Sequence, residues 1–235
     1  MVPEELTEAE AIGENYRRIR ERVDAACARA GRDPAGVEII GVTKTKPAST
    51  VRAAREAGIT IVGENYVQEI TAKHDELGEI VEWHFIGHLQ RNKVRAIAPF
   101  VAMIHGVDSA RLGAEISRQG EELGRTIPVL LQVNTSGEES KFGVAPEEAM
   151  RLAGELIALP HIELRGLMTI GAFLDDPELV RPMFGLLREL RQDIAAALGV
   201  ALPHLSMGMT GDFEAAVEEG ATLVRIGTAL FGRRG

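Results

Sequence analysis

From Leu6 to Gly31 the apolar positions fall at helical spacing, with Ile12, Tyr16, Ile19, Val23, Ala26 and Ala30 on one stripe and Gly31 placed to end the helix. Beyond it the pattern changes: short apolar runs, readable as strands, alternate with longer amphipathic stretches, readable as helices. The first three pairs are Glu38 to Thr43 with Ser49 to Ala57, Thr60 to Val62 with Tyr66 to Leu77, and Glu82 to Ile86 with Asn92 to Ala98. Val101 to His105 with Ser109 to Leu123, and Pro128 to Asn134 with Pro146 to Leu159, continue the series. It closes with Glu163 to Met168 and Pro177 to Leu198, His204 to Met207 and Asp212 to Glu219, then Thr222 to Ile226 before a short helix at Ala229 to Phe231.

Eight strand–helix alternations in 235 residues point to parallel strands joined by right-handed crossovers, and favour a closed barrel over an open doubly wound sheet. Periodicity alone leaves the open sheet in play. The dinucleotide fingerprint that often accompanies such a sheet, G-x-G-x-x-G after the first strand, is missing. No compositional shift or long linker divides the chain. The expected fold is therefore α/β, a single (β/α)8 TIM-type barrel over residues 1–235 with an extra N-terminal helix. Aromatic residues make up only 4% of the chain, so its core must be built mainly of Ile, Leu, Val and Ala.

A net charge of -9, from 26 basic and 35 acidic side chains, would repel a polyanion, and no basic run offsets it; nucleic acid is not an expected partner. One compact anion remains compatible with such a surface, because backbone N–H groups and a local cation suffice to bind it. Cys27 is the single cysteine, which excludes an internal disulfide and a thiolate metal cluster. The N-terminal residues carry no secretory pattern, and no apolar run approaches the ~20 residues of a membrane span, so the expected location is the cytoplasm.

In a barrel of this kind, functional groups gather at the C-terminal ends of the strands. The first strand ends in Gly41-Val42-Thr43-Lys44-Thr45-Lys46-Pro47, where a period of two would set Lys44 and Lys46 on one side. A lysine between apolar walls and beside another cation has its charged form disfavoured, leaving free amine to attack an aldehyde. Spacing does not choose between the two lysines. The seventh strand ends in Ser206-Met207-Gly208-Met209-Thr210-Gly211-Asp212 and the eighth in Arg225-Ile226-Gly227-Thr228. These are the two loops that most often hold a phosphate in this fold, and Ser206 and Thr228 add hydroxyl donors to glycine-rich backbone. His84 and His88 lack a third ligand at diagnostic spacing and no H-E-x-x-H is present, so no metal is expected; no G-x-S-x-G elbow supports a serine hydrolase.

With these residues in view, the chain closely resembles the YggS/PROSC family of pyridoxal phosphate homeostasis proteins, from about Ile39 to Gly232. The resemblance is carried by the lysine segment above, Gly63-Glu64-Asn65-Tyr66-Val67-Gln68-Glu69, and Trp83-His84-Phe85-Ile86-Gly87-His88-Leu89-Gln90-Arg91-Asn92-Lys93. It extends through Glu138-Glu139-Ser140-Lys141-Phe142-Gly143, Arg165-Gly166-Leu167-Met168 and Val224-Arg225-Ile226-Gly227-Thr228-Ala229-Leu230-Phe231-Gly232. It implies an alanine-racemase-like barrel carrying pyridoxal 5′-phosphate (PLP) as an imine on Lys44, and it is this likeness that selects Lys44. It further implies Ser206, Gly227 and Thr228 at the phosphate, Arg225 near the pyridine nitrogen and Asn65 close to the ring. Where the family reads Met-Ser this chain reads Met209-Thr210, which keeps the hydroxyl.

The implied function is PLP binding in intracellular PLP homeostasis, without strong catalysis, as a monomer that exchanges the cofactor with apo-enzymes or amino acids. An arginine beside the pyridine nitrogen accepts no proton from it, so carbanion chemistry is muted. The alternative is a weak PLP-dependent amino-acid racemase. That reaction needs a second base opposite the lysine, and the only tyrosines, Tyr16 and Tyr66, both fall in expected helices. Racemases draw theirs from a further β-rich domain, which is not expected within these 235 residues.

Overall fold

A computed structural model describes residues 6–232 apart from Glu139, Phe173 and Asp175. Its strands are β1 (Glu38–Val42), β2 (Ile61–Glu64), β3 (Glu82–Phe85), β4 (Met103–Val107), β5 (Ile127–Gln132), β6 (Ile162–Met168), β7 (His204–Ser206) and β8 (Leu223–Ile226). All neighbours are parallel, and β8 pairs with β1 to close the barrel in sequence order. Between them run α2 (Ala48–Glu56), α3 (Val67–Leu77), α4 (Val94–Ile97), α5 (Ala110–Leu123), α6 (Ala149–Ile157), α7 (Pro177–Leu198) and α8 (Phe213–Glu218), with α9 (Thr228–Phe231) after β8.

Helix α1 (Glu8–Arg29) precedes the barrel, opened by a capping box in which Thr7 accepts from the Glu10 N–H and the Glu10 carboxylate accepts from the Thr7 N–H. Its stripe of Ile12, Ile19, Val23, Ala26 and Cys27 is buried against α2 and α8. Ala30, expected on that stripe, is exposed, because α1 has ended at Arg29 and the chain is already turning away. Arg22 and Arg29 pair with Glu214 and Glu218 on α8, and Asn15 Nδ2 donates to the Leu230 carbonyl, so the first helix fastens the last strand–helix unit in place.

Among the described residues two apolar cores result. The larger fills the space between sheet and helices; the smaller, Ile40, Ile61, Met103, Leu130, Met168 and Leu223, comes from alternate residues that point into the barrel. The expected helix from Asn92 to Ala98 is instead a 3-10 turn, Arg91–Lys93, followed by the short α4, which Ala98 caps before Pro99. Strand β4 starts two residues later than the apolar run suggested, since Val101 is buried in the lead-in loop rather than paired.

Candidate functional site

At the C-terminal ends of the strands lies a cavity of about 350 Å³. Lys44 enters it from the turn after β1, Asn65 from the end of β2 and Arg225 from β8, while Gly227 and Thr228 lie at the start of α9. Val42, Ile86, Ile170 and Ala172 supply its apolar walls, and Met209, Thr210, Gly211 and Asp212 a further side. A roomier groove of about 550 Å³ sits at the opposite end, but its arginines are committed to the fold: Arg55 donates to the Ile80 carbonyl and Arg125 to those of Ala98, Pro99 and Val101.

Strand alternation does not extend to Lys44 and Lys46. Strand β1 ends at Val42, and the chain turns through a left-handed Thr45 (φ 65), with the Lys46 N–H donating to the Thr43 carbonyl. The two amines therefore diverge: Lys44 faces the cavity, whereas Lys46 Nζ donates to the Phe231 carbonyl at 2.9 Å.

Both neighbours of Lys44 are pinned by a buried ion-pair cluster. Lys73 Nζ donates to Glu64 Oε1 at 2.6 Å and to the Thr43 carbonyl at 2.8 Å; Thr43 Oγ1 donates to the same Glu64 oxygen at 2.6 Å, and the Thr45 N–H to Glu69 Oε2 at 2.7 Å. Burial pushes the Glu64 carboxyl up, opposed by the hydrogen bonds from Lys73 and Thr43. The spacing of Glu69 and Lys73, four apart on α3, was a visible signal of pairing; that Glu64 joins them required the fold.

Arg225 is 5% exposed and donates from Nη1 to Ser206 Oγ at 2.7 Å and from Nη2 to the Thr169 carbonyl at 2.7 Å. Burial lowers its pKa to about 10, which still leaves it a cation at neutral pH. Ser206 departs from expectation. It does not line the cavity; it is fully buried within β7, its hydroxyl engaged by Arg225 and by His105 Nδ1 at 2.9 Å. The hydroxyl that does line the cavity on this side is that of Thr210, which accepts from the Ala229 N–H at 3.4 Å and so ties the β7 and β8 loops together. Gly208 (φ 90) makes the intervening turn possible, because a Cβ there would lie 2.6 Å from that of Ala216. The Asp212 carboxylate accepts from the Met209 N–H at 2.6 Å and closes the turn.

His84 points into the barrel, while His88 stands on the rim, stacked on Phe142 at 3.9 Å between ring centres. Among the described residues no group of three or more His, Cys, Asp or Glu side chains is placed to hold a metal ion. Lys141 donates to Glu138 and to the Gly171 carbonyl; Glu139 of that motif lies outside the described residues. Tyr66 is the N-cap residue of α3, 54% exposed, and is not among the residues that line the cavity.

One observation bears on what fits the cavity. Asn65 Oδ1 is buried in its wall without a hydrogen-bond partner among the described residues, an acceptor left over by the fold. An amine, a buried guanidinium and a hydroxyl-bearing double turn around apolar walls define a (β/α)8 barrel suited to a small, flat, anionic molecule with an electrophilic carbon.

Residues 8–235 match the family described as alanine racemase, N-terminal domain. The chain is 46% identical over 222 residues to the pyridoxal phosphate homeostasis protein of Aquifex aeolicus, covering 94% of this chain and 97% of that one. It is also 46% identical over 224 residues to the protein of that name from Pseudomonas aeruginosa, covering 95% and 96%. Among solved structures it is similar to PipY of Synechococcus elongatus with PLP bound, at a TM-score of 0.82 and 34% identity, covering 94% of this chain and 100% of that one. The chain belongs to the alanine racemase N-terminal-domain family and, within it, to the pyridoxal phosphate homeostasis proteins.

Proposed function

We propose that this protein binds PLP in the mouth cavity, attached covalently through Lys44, and serves PLP homeostasis by holding the cofactor and releasing it to apo-enzymes or amino acids. The observation that carries the reading is the convergence in one cavity of Lys44, Arg225 and the unpartnered Asn65 Oδ1. Bound there, PLP supplies an aldehyde that condenses with a primary amine with loss of water.

Each residue has a task that its position supports. Lys44 would offer the amine, its backbone held on both sides by the Glu64–Lys73–Glu69 cluster. Thr210, Gly227 and Thr228 would hold the phosphate with hydroxyl and backbone donors, Asn65 would contact the ring, and Arg225 would donate to its nitrogen. Ser206 acts one step back, holding Arg225 rather than the phosphate. An arginine at the ring nitrogen keeps that nitrogen unprotonated and weakens the ring as an electron sink, which favours storage over turnover.

The racemase alternative requires a second base facing Lys44 across the ring. Neither tyrosine lines the cavity, so the reading here is a protein without strong catalysis of its own. The test is intact-mass measurement after PLP loading and borohydride reduction. Wild type should gain one reduced cofactor and Lys44→Ala none; a full adduct on Lys44→Ala would move the attachment to another lysine. Turnover of α-proton exchange at ordinary enzyme rates, about 1 per second or faster, would favour the racemase.

A further inference from the structure

Inside the barrel a line of polar side chains runs among the apolar ones that point into the lumen. Arg225 Nη1 lies 2.7 Å from Ser206 Oγ, Ser206 Oγ 2.9 Å from His105 Nδ1, and His105 Nε2 3.0 Å from His84 Nδ1. Strands β4 and β7 are not neighbours in the sheet, so the His105–Ser206 contact spans the barrel interior. At the far end His84 Nε2 lies 3.9 Å from a carboxylate oxygen of Glu82, at the strand end opposite the cavity.

The proton inventory gives the line a direction. Arg225 only donates, so Ser206 Oγ accepts from it and has one hydrogen to place. That hydrogen goes to His105 Nδ1; the other ring nitrogen, Nε2–H, then donates to His84 Nδ1, and His84 Nε2–H faces Glu82. The reverse tautomers would leave the Ser206 hydrogen without an acceptor among the described residues and turn a ring lone pair toward a carboxylate. Burial keeps both rings neutral, with His84 pushed down to about 3 and His105 well below its ordinary value. The result is a row of dipoles with their negative ends toward the guanidinium.

Packing alone does not call for such a row. Ile40, Ile61, Met103, Leu130, Met168 and Leu223 fill the same lumen with hydrocarbon, and a buried polar side chain is costly unless its bonds are satisfied. We propose that His105, backed by His84, is a positioning residue for the cofactor site. By taking the Ser206 hydrogen it commits the Ser206 lone pair to Arg225, and so aims the guanidinium, braced also by the Thr169 carbonyl, at a ring nitrogen in the cavity. This rests on the PLP reading above.

The experiment compares binding of PLP with that of its carbocyclic analogue, in which CH replaces the ring nitrogen, to wild type, His105→Phe and His105→Asn. The ratio of the two affinities isolates the ring-nitrogen contact. In His105→Phe the preference for PLP should fall about tenfold, on the order of one charge-assisted hydrogen bond, while affinity for the analogue holds. In His105→Asn, which keeps an acceptor for Ser206, the preference should return. In an Arg225→Met background His105→Phe should not change it. Should His105→Phe not fold, Ser206→Ala breaks the same link and is read in the same way. Equal weakening of both ligands, or an unchanged ratio, would overturn the positioning role while leaving PLP binding intact; a wild type that binds no PLP would overturn both.

Discussion

Replacing Lys73 with methionine removes the cation from a buried cluster without opening a large hole. Glu64 is 0% exposed, and its Oε1 receives both the Lys73 ammonium and the Thr43 hydroxyl at 2.6 Å, while Oε2 is buried without a partner among the described residues. Without Lys73 the carboxylate must remain as a buried charge held by one hydroxyl, or take up a proton. Breaking one side of a buried ion pair costs about 3–5 kcal/mol. For a domain of this size, that lowers the melting temperature by roughly 6–20 °C. The double variant Glu64→Leu/Lys73→Met removes both charges, and should recover most of the loss. Urea unfolding at pH 7.5 of wild type, both single variants and the double variant supplies the cycle. A cost below about 1 kcal/mol for Lys73→Met, or a double variant as unstable as that single one, would refute the argument. Because Lys73 also holds the Thr43 carbonyl next to Lys44, PLP uptake by Lys73→Met should slow even at temperatures where it stays folded.

Acid should weaken the fold through its lumen histidines. Burial, the first cause for each ring, holds the folded pKa of His84 at about 3 against an ordinary 6.5, and that of His105 well below, where the charge of Arg225 adds to the effect. The unfolded chain therefore binds more protons below pH 6.5, so this contribution is fully present above that pH and is lost as pH falls toward 3, at up to about 1.4 kcal/mol per pH unit for each ring. Raised carboxyls such as Glu64 act in the opposite sense, so the comparison is with His105→Asn, whose stability should fall less steeply than that of wild type from pH 7 to 5; identical slopes would exclude the effect. For Asn65→Leu, the apo-protein should stay within about 1 kcal/mol of wild type, because the change removes an unpartnered buried oxygen, while PLP retention after dialysis weakens. A loss above about 2 kcal/mol in the apo-protein would mean that the amide serves the fold.

The residues that line the cavity differ in how far they could be read in advance. Gly227 and Thr228 follow the eighth apolar run and Lys44 the first, so the rule that function gathers at strand ends found them. Ser206 follows the same rule but lies buried in β7, because a three-residue strand gives no hint of which hydroxyl lies in the sheet and which in the loop; Thr210, four positions on, lines the cavity. His84 and His105 stood as isolated histidines, one of them weighed as a metal ligand. Their partnership joins residues 21 apart, and the next link in the line, from His105 to Ser206, spans 101 positions.

By itself, the sequence determined the order of the elements and favoured the barrel, because apolar periodicity is a local property written into consecutive residues, and eight repeats of one unit have few ways to pack. Only tertiary structure decided which polar groups meet. Docking of α3 on β2 lets Lys73 find Glu64, pairing of adjacent strands sets Arg225 beside Ser206 and His84 beside His105, and closing the barrel sets β4 across from β7, so that His105 meets Ser206. Buried polar groups must be satisfied by whatever closure places within about 3 Å, and that distance is set by topology rather than by neighbours along the chain.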